Sequence, residues 1–205
     1  MEEVFLYEKT YMFIKGYATG KNLSNTLKAL PMCIMTHNGQ YRRQKTVIGG
    51  KEYKTPYCLH CLKVCSTLIS LNAPLNTEEL DILLAAAVLH DTLEDQGDKF
   101  PNDGEEFVSQ YGLNPRVLKI VRLLSKKEGA TEEELRKFFQ KIAEDPLALL
   151  IKLADRSHNT ETLYAMMKDG FSNTDKLWKY IRESREMVYP LARHGKAAYP
   201  EFSND

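Results

Sequence analysis

The sequence predicts an all-α helical bundle built as a single domain. Three observations lead there. Apolar residues recur at steps of three and four along most of the chain. Helix start signals recur between those stretches: Asn76 with Glu79, Asn114 before Pro115, Thr131 with Glu134, and Asp145 before Pro146. No convincing period-two alternation and no βαβ rhythm appears. A length of 205 residues suits one domain.

Residues 1–35 are expected to form an N-terminal helical segment packed on the domain. Residues 36–195 form the domain proper, and residues 196–205 a tail. Within the first part, Ser24 precedes an apolar stripe of Leu27, Leu30, Ile34 and Met35, with Pro31 inside it as a kink or break. Asn38–Lys54 is rich in glycine and basic residues and reads as a loop. Pro56 starts a buried helix through Leu59, Leu62, Val64 and Leu68 to about Leu71. Asn76 or Thr77 caps the next, which carries Leu80, Leu83, Leu84, Ala87 and Val88. Pro115 opens another, and Thr131 with Glu134 opens one through Phe138, Phe139 and Ile142. Asp145–Pro146 begins a helix to about Met167. Ser172 or Asn173 opens the last, which ends near Gly195. Gly97–Gly104 and Ser125–Ala130 are the loosest connections.

Composition narrows the function classes. Lys plus Arg and Asp plus Glu are 28 each, so the formal net charge is zero. A balanced chain has no bulk field to draw it to nucleic acid or an anionic membrane. Affinity for a phosphorylated ligand must then come from local charge. The longest apolar runs, Ile82–Leu89 and Leu147–Ile151, fall far short of the roughly 20 residues of a membrane span. The acidic start lacks the pattern of a signal peptide. Four cysteines are too few for a disulfide framework. The expected location is cytoplasmic. Cys58, Cys61 and Cys65 share a helix face, but a structural zinc site needs four converging ligands, so they read as core thiols.

The informative segment is Leu89-His90-Asp91-Thr92-Leu93-Glu94-Asp95. An apolar helix runs into four ionisable groups, whose burial is costly unless they are paired or bind metal. His90 and Glu94 are four apart, as are Asp91 and Asp95, so each pair stacks on one helix face. A solvated helix edge is the competing reading. Lys152, Asp155, Asn159 and Thr162 make a polar stripe on a helix whose other face holds Ile151, Ala154 and His158. That pattern suits an inner helix lining a cavity. His60 taken alone reads as a satisfied core histidine rather than a ligand.

The ordered set of motifs resembles the hydrolase domain of RelA/SpoT-type alarmone enzymes, within the HD-domain phosphohydrolase superfamily. His37-Asn38-Gly39-Gln40-Tyr41-Arg42-Arg43 is similar to the family's basic loop. Thr55-Pro56-Tyr57 with His60 resembles its first metal-histidine motif, and Leu89–Asp95 the HD motif with its acidic pair. Ile151–Asn159 resembles the last metal motif, and Tyr189–Gly195 the closing segment. The likeness covers residues 36–195.

The resemblance implies one divalent metal, manganese by family precedent, held by His60, His90, Asp91 and Asp155. It implies that Glu94 and Asp95 orient and deprotonate water, with a hydrogen bond to a metal histidine as the alternative for Glu94. Arg42 and Arg43 match positions that meet phosphates and flank the base, and Asn159 and Thr162 positions near the sugar. Lys152 and Arg156 add positive charge or form buried ion pairs. The implied reaction is hydrolysis of the 3′-pyrophosphate of guanosine tetra- or pentaphosphate (ppGpp, pppGpp), releasing GDP or GTP. The expected form is a short, hydrolase-only member. The long stretch Gln44–Lys54 keeps a second substrate open, the 2′-phosphate of NADPH or a nucleoside monophosphate. A nucleotide-binding module without turnover is the third reading.

Overall fold

A computed structural model describes residues 5–100, 102–127, 129–168 and 174–198. The helices are α1 (Phe5–Gly20), α2 (Ser24–Thr36), α3 (Cys58–Leu71), α4 (Thr77–Leu89), α5 (Thr92–Gln96), α6 (Glu106–Ser109), α7 (Pro115–Leu124), α8 (Glu132–Ala143), α9 (Pro146–Lys168), α10 (Thr174–Glu183) and α11 (Tyr189–His194). A π-helical turn over Ser184–Val188 joins the last two. The chain is a helical bundle, as its apolar spacing predicts.

Helix α4 is the axis of the bundle. Every residue from Asp81 to His90 is buried, and α2, α3, α7 and α9 all pack against it. Its N-terminus carries the expected capping box: Asn76 accepts from the Glu79 N–H, and Glu79 reaches back to the Asn76 N–H. Buried Asp81 does not waste its charge. It accepts from the backbone N–H groups of Asn25 and Thr26 at 2.9 and 2.8 Å, and so caps α2. Thr131 with Glu134 and Asn114 with Pro115 start α8 and α7 as their spacing predicts. Asp145 accepts from the Leu147 and Ala148 N–H groups at the start of α9.

Two local expectations change. Helix α2 continues through Pro31 without a break. Proline costs it one backbone hydrogen bond, and the buried face of Ala29, Leu30, Met32 and Cys33 holds it together. Second, Asn38–Lys54 is not a loop. Tyr41–Ile48 (β1) and Lys51–Pro56 (β2) form an antiparallel hairpin with Ile48 opposite Lys51. Gly49 and Gly50 take φ of +55° and +78°, the conformation a two-residue hairpin turn demands. Val47 and Ile48 at its tip are exposed. The expected helix start at Ser172 or Asn173 and most of the 196–205 tail lie outside the described residues, as does the Gln44 side chain. Among the described residues, no helix is long and apolar enough to cross a membrane.

Candidate active site

Four elements meet where the sequence places its chemistry. His60 stands in the first turn of α3, His90 and Asp91 in the step between α4 and α5, and Asp155 on α9. The helix expected through Asp95 is interrupted at this step, but both residues keep α-type angles, and the Asp95 N–H still bonds the Asp91 carbonyl at 2.9 Å.

His60 Nε2 lies 3.3 Å from Asp91 Oδ2 and 3.2 Å from Asp155 Oδ1. His90 Nε2 lies 3.2 Å from Asp91 Oδ1 and 3.8 Å from Asp155 Oδ1. Both Nε2 atoms are buried and make no hydrogen bond, an unusual cost for ring nitrogens. The other nitrogen of each ring is engaged. His90 Nδ1 is 2.8 Å from the Ala87 carbonyl and donates there, so in the neutral ring Nε2 is the lone pair. His60 Nδ1 is 2.8 Å from His158 Nδ1. Burial, then the charges of His60 and Arg42, pull the His158 pKa down to about 4. A neutral His158 accepts from His60, and His60 Nε2 is likewise left as a lone pair. Two lone pairs and two carboxylates therefore converge, and His60, His90 and Asp155 offer ligand atoms all within 4.8 Å of one another. Two imidazoles and two carboxylates fit a divalent cation.

Charges in the centre compensate one another. Where no cation is bound, protonated imidazole takes its place: burial opposes ionisation of Asp91, but His90, then His60, outweigh it and hold the carboxyl well below its usual range. Burial likewise opposes Asp155, and Lys152 with the two histidines prevails. Lys152 Nζ reaches Asp155 Oδ2 at 3.2 Å, so it forms an ion pair and also brings positive charge to the centre. Arg156 does not face this centre. It pairs with buried Glu183 and lies over the Tyr180 ring at 4.3 Å, tying α9 to α10.

A cleft of about 640 Å³ is lined by Gln40, Tyr41, Arg42, Arg43, Tyr57, Asp95, Asn159, Leu163, Leu177 and Tyr180. The hairpin supplies Arg42 and Arg43. Arg42 Nη2 donates to Asn159 Oδ1 at 2.6 Å and its guanidinium sits 5.4 Å from the Tyr57 ring centre. Asn159 in turn donates to Asp155 Oδ1, linking the basic wall to the His60–His90–Asp91–Asp155 cluster. Thr162 is buried and donates to the Asn159 carbonyl at 3.1 Å, so its hydroxyl serves its own helix. Asp95 lines this cleft and a neighbouring one of about 490 Å³ that also holds Glu94, Lys126 and Lys179. Glu94 accepts from the Lys126 N–H at 2.9 Å. Its side chain is open to solvent by area, yet the surrounding walls desolvate the carboxyl enough to raise its pKa.

Three participants escaped the sequence reading. Tyr57 donates to Asp91 Oδ2 at 2.8 Å. His158 orients His60. Gln40 donates to Asp95 Oδ2 at 3.4 Å. Tyr57 and Gln40 stand inside quoted motifs, and His158 sits three residues after Asp155. That one-turn spacing carries the signal for a partner beside a ligand.

A family model described as the HD domain matches residues 57–160. A probable GTP pyrophosphokinase of Mycobacterium leprae is 34% identical over 181 residues, 87% of this chain and 20% of that protein. A guanosine-3′,5′-bis(diphosphate) 3′-pyrophosphohydrolase of Aquifex aeolicus is 34% identical over 175 residues, 84% of this chain and 23% of its own length. The bifunctional (p)ppGpp synthase/hydrolase SpoT of Escherichia coli is 28% identical over 197 residues, 92% of this chain and 24% of that protein. The chain thus spans between 20% and 24% of the length of these relatives.

Proposed function

The chain belongs to the HD-domain family, and on that premise we propose that it is a metal-dependent hydrolase of the 3′-pyrophosphate of ppGpp and pppGpp. The products are GDP or GTP and pyrophosphate. One observation carries this reading: a four-residue centre with two unpartnered imidazole nitrogens adjoins a cleft walled by two arginines. The names of the relatives supply the substrate. The domain proper is residues 36–195.

His60, His90, Asp91 and Asp155 hold the cation; two imidazoles and two carboxylates admit manganese among other divalent ions, and the resemblance to the family selects it. When bound, the ion supplies Lewis acidity and lowers the pKa of water. The chain's own residues do the rest. Arg42 and Arg43 offer planar guanidinium groups to phosphate oxygens. Tyr41 and Tyr57 give the base aromatic surface, and Asn159 orients Arg42 and the sugar. Asp95, beside the centre, orients the attacking water. Glu94, whose raised pKa brings it nearer neutrality, takes up the proton. A volume of about 640 Å³ suits a nucleotide.

A substrate panel with manganese tests the reading. It compares ppGpp, NADPH and plain nucleotides by release of pyrophosphate and phosphate. Pyrophosphate from ppGpp is the expected result. Turnover of NADPH alone would move the substrate to the second class, and no turnover at all would leave a binding module.

A further inference from the structure

Cys33, His37 and Cys61 meet at the end of α2 and the first turn of α3. They are 0%, 2% and 0% exposed. Each offers a ligand atom within 4.8 Å of the others. His37 Nε2 lies 3.9 Å from Cys61 Sγ. The other ring nitrogen, Nδ1, lies 2.6 Å from Gln40 Oε1. The direction of that amide follows from its neighbours: Oε1 also accepts from Gln96 at 3.2 Å, and Nε2 donates to Asp95 at 3.4 Å. His37 Nδ1 therefore carries the hydrogen of the neutral ring, and Nε2 presents its lone pair to the thiols. A histidine steered from behind in this way is arranged as metal-binding histidines are.

We propose that Cys33, His37 and Cys61 form a second metal site, selective for a soft d¹⁰ cation in three-fold coordination, with monovalent copper the best match. The geometry fits. With metal–sulfur and metal–nitrogen bonds of ~2.3 and ~2.0 Å, trigonal coordination sets sulfur and nitrogen about 3.7 Å apart. The observed separation is 3.9 Å. The donors fit as well. Two sulfurs and one imidazole are a soft set, without the carboxylates of the centre next door. Zinc held by two thiolates and one imidazole completes its four ligands with a water, and these three donors are almost wholly buried, which favours an ion content with three. Each thiol releases its proton to solvent as it coordinates. Cys61 also lies within 4.8 Å of ligand atoms of His90 and Asp91, so the two sites share a wall. The proposal does not depend on the hydrolase reading.

The test titrates the whole chain, reduced and anaerobic, with Cu(I) against a chromogenic competing chelator in the presence of excess Mn(II). The expected result is one equivalent of retained copper with an ultraviolet thiolate-to-copper charge-transfer band. Cys33→Ala and Cys61→Ala should each lose the band and weaken retention at least tenfold. Cys65→Ala, equally buried on α3, should change neither. Should either cluster variant fail to fold, copper-edge X-ray absorption on the wild type must show two sulfur ligands and one nitrogen. No retained copper in the wild type overturns the assignment, as does an unaltered band in folded Cys33→Ala. Retention of zinc but not copper through Cys33 overturns the choice of ion.

Discussion

Replacing His158 with phenylalanine isolates the device that aims His60. The ring volume is kept, but the acceptor 2.8 Å from His60 Nδ1 is removed. The His60 N–H is then left unsatisfied beside a side chain that is 1% exposed. Such an orphan costs about 1–3 kcal/mol. The ring can recover the bond only by swinging Nε2 away from Asp91 and Asp155. Loss of a partner behind a metal histidine weakens metal binding about 10–100-fold, equivalent to about 1.4–2.7 kcal/mol. The two ranges agree. Free Mn(II), followed by electron paramagnetic resonance during titration, reads the dissociation constant at neutral pH, where His158 is uncharged. A folded His158→Phe protein that binds Mn(II) as tightly as the wild type would refute the assignment of His60 Nε2 as a ligand atom steered from Nδ1.

Other outcomes follow from the same geometry. Glu94→Gln should keep metal affinity and lose about 10²–10⁴-fold in turnover, the range of a general base; equal initial rates would remove Glu94 from proton transfer. Arg42→Ala should raise KM for ppGpp by about tenfold or more, the worth of one charge-assisted hydrogen bond, with Mn(II) affinity unchanged. Arg156→Met strands buried Glu183 with only Lys126 at 3.5 Å, so urea denaturation should show a loss of about 3 kcal/mol, the low end for a broken buried pair. The metal-free protein should lose stability as pH falls from 6.5, the ordinary value for His158, to about 4, its folded value. In that window the unfolded chain binds the proton and the folded chain does not, so stability falls with pH. Urea midpoints for His158→Phe should be flatter there.

Much of the fold was legible because its helices begin with chemistry that acts locally. Asn76, Asn114, Thr131 and Asp145 each bond a backbone N–H within three residues. The hairpin was harder to see. Its Gly49-Gly50 turn signal was present, but Arg42–Lys45 lacks alternation, and the register shifts between Tyr41 and Lys45. The strand faces solvent for most of its length, so burial leaves little period-two signature there. In the site, motif order singled out His60, His90, Asp91 and Asp155. The ion pair between Arg156 and Glu183 spans 27 residues, and no spacing rule reaches that far. The inward turn of Thr162 depends on the helix's own carbonyl, which sequence periodicity does not report.

The two walls of the cleft differ in what they rest on. His90 and Asp91 extend from a helix enclosed on every side, whereas Arg42 and Arg43 ride on a ribbon whose tip stands in water. Substitutions in α4 disturb the whole core, but changes along Tyr41–Pro56 alter few buried contacts. Selection can therefore retune ligand preference on the ribbon while the reactive centre stays constant. Substitutions at Tyr41 and Arg43, the part of the ribbon that lines the cleft, are the cheapest route to a new specificity, and a library randomised there should retain folded, metal-binding members at high frequency.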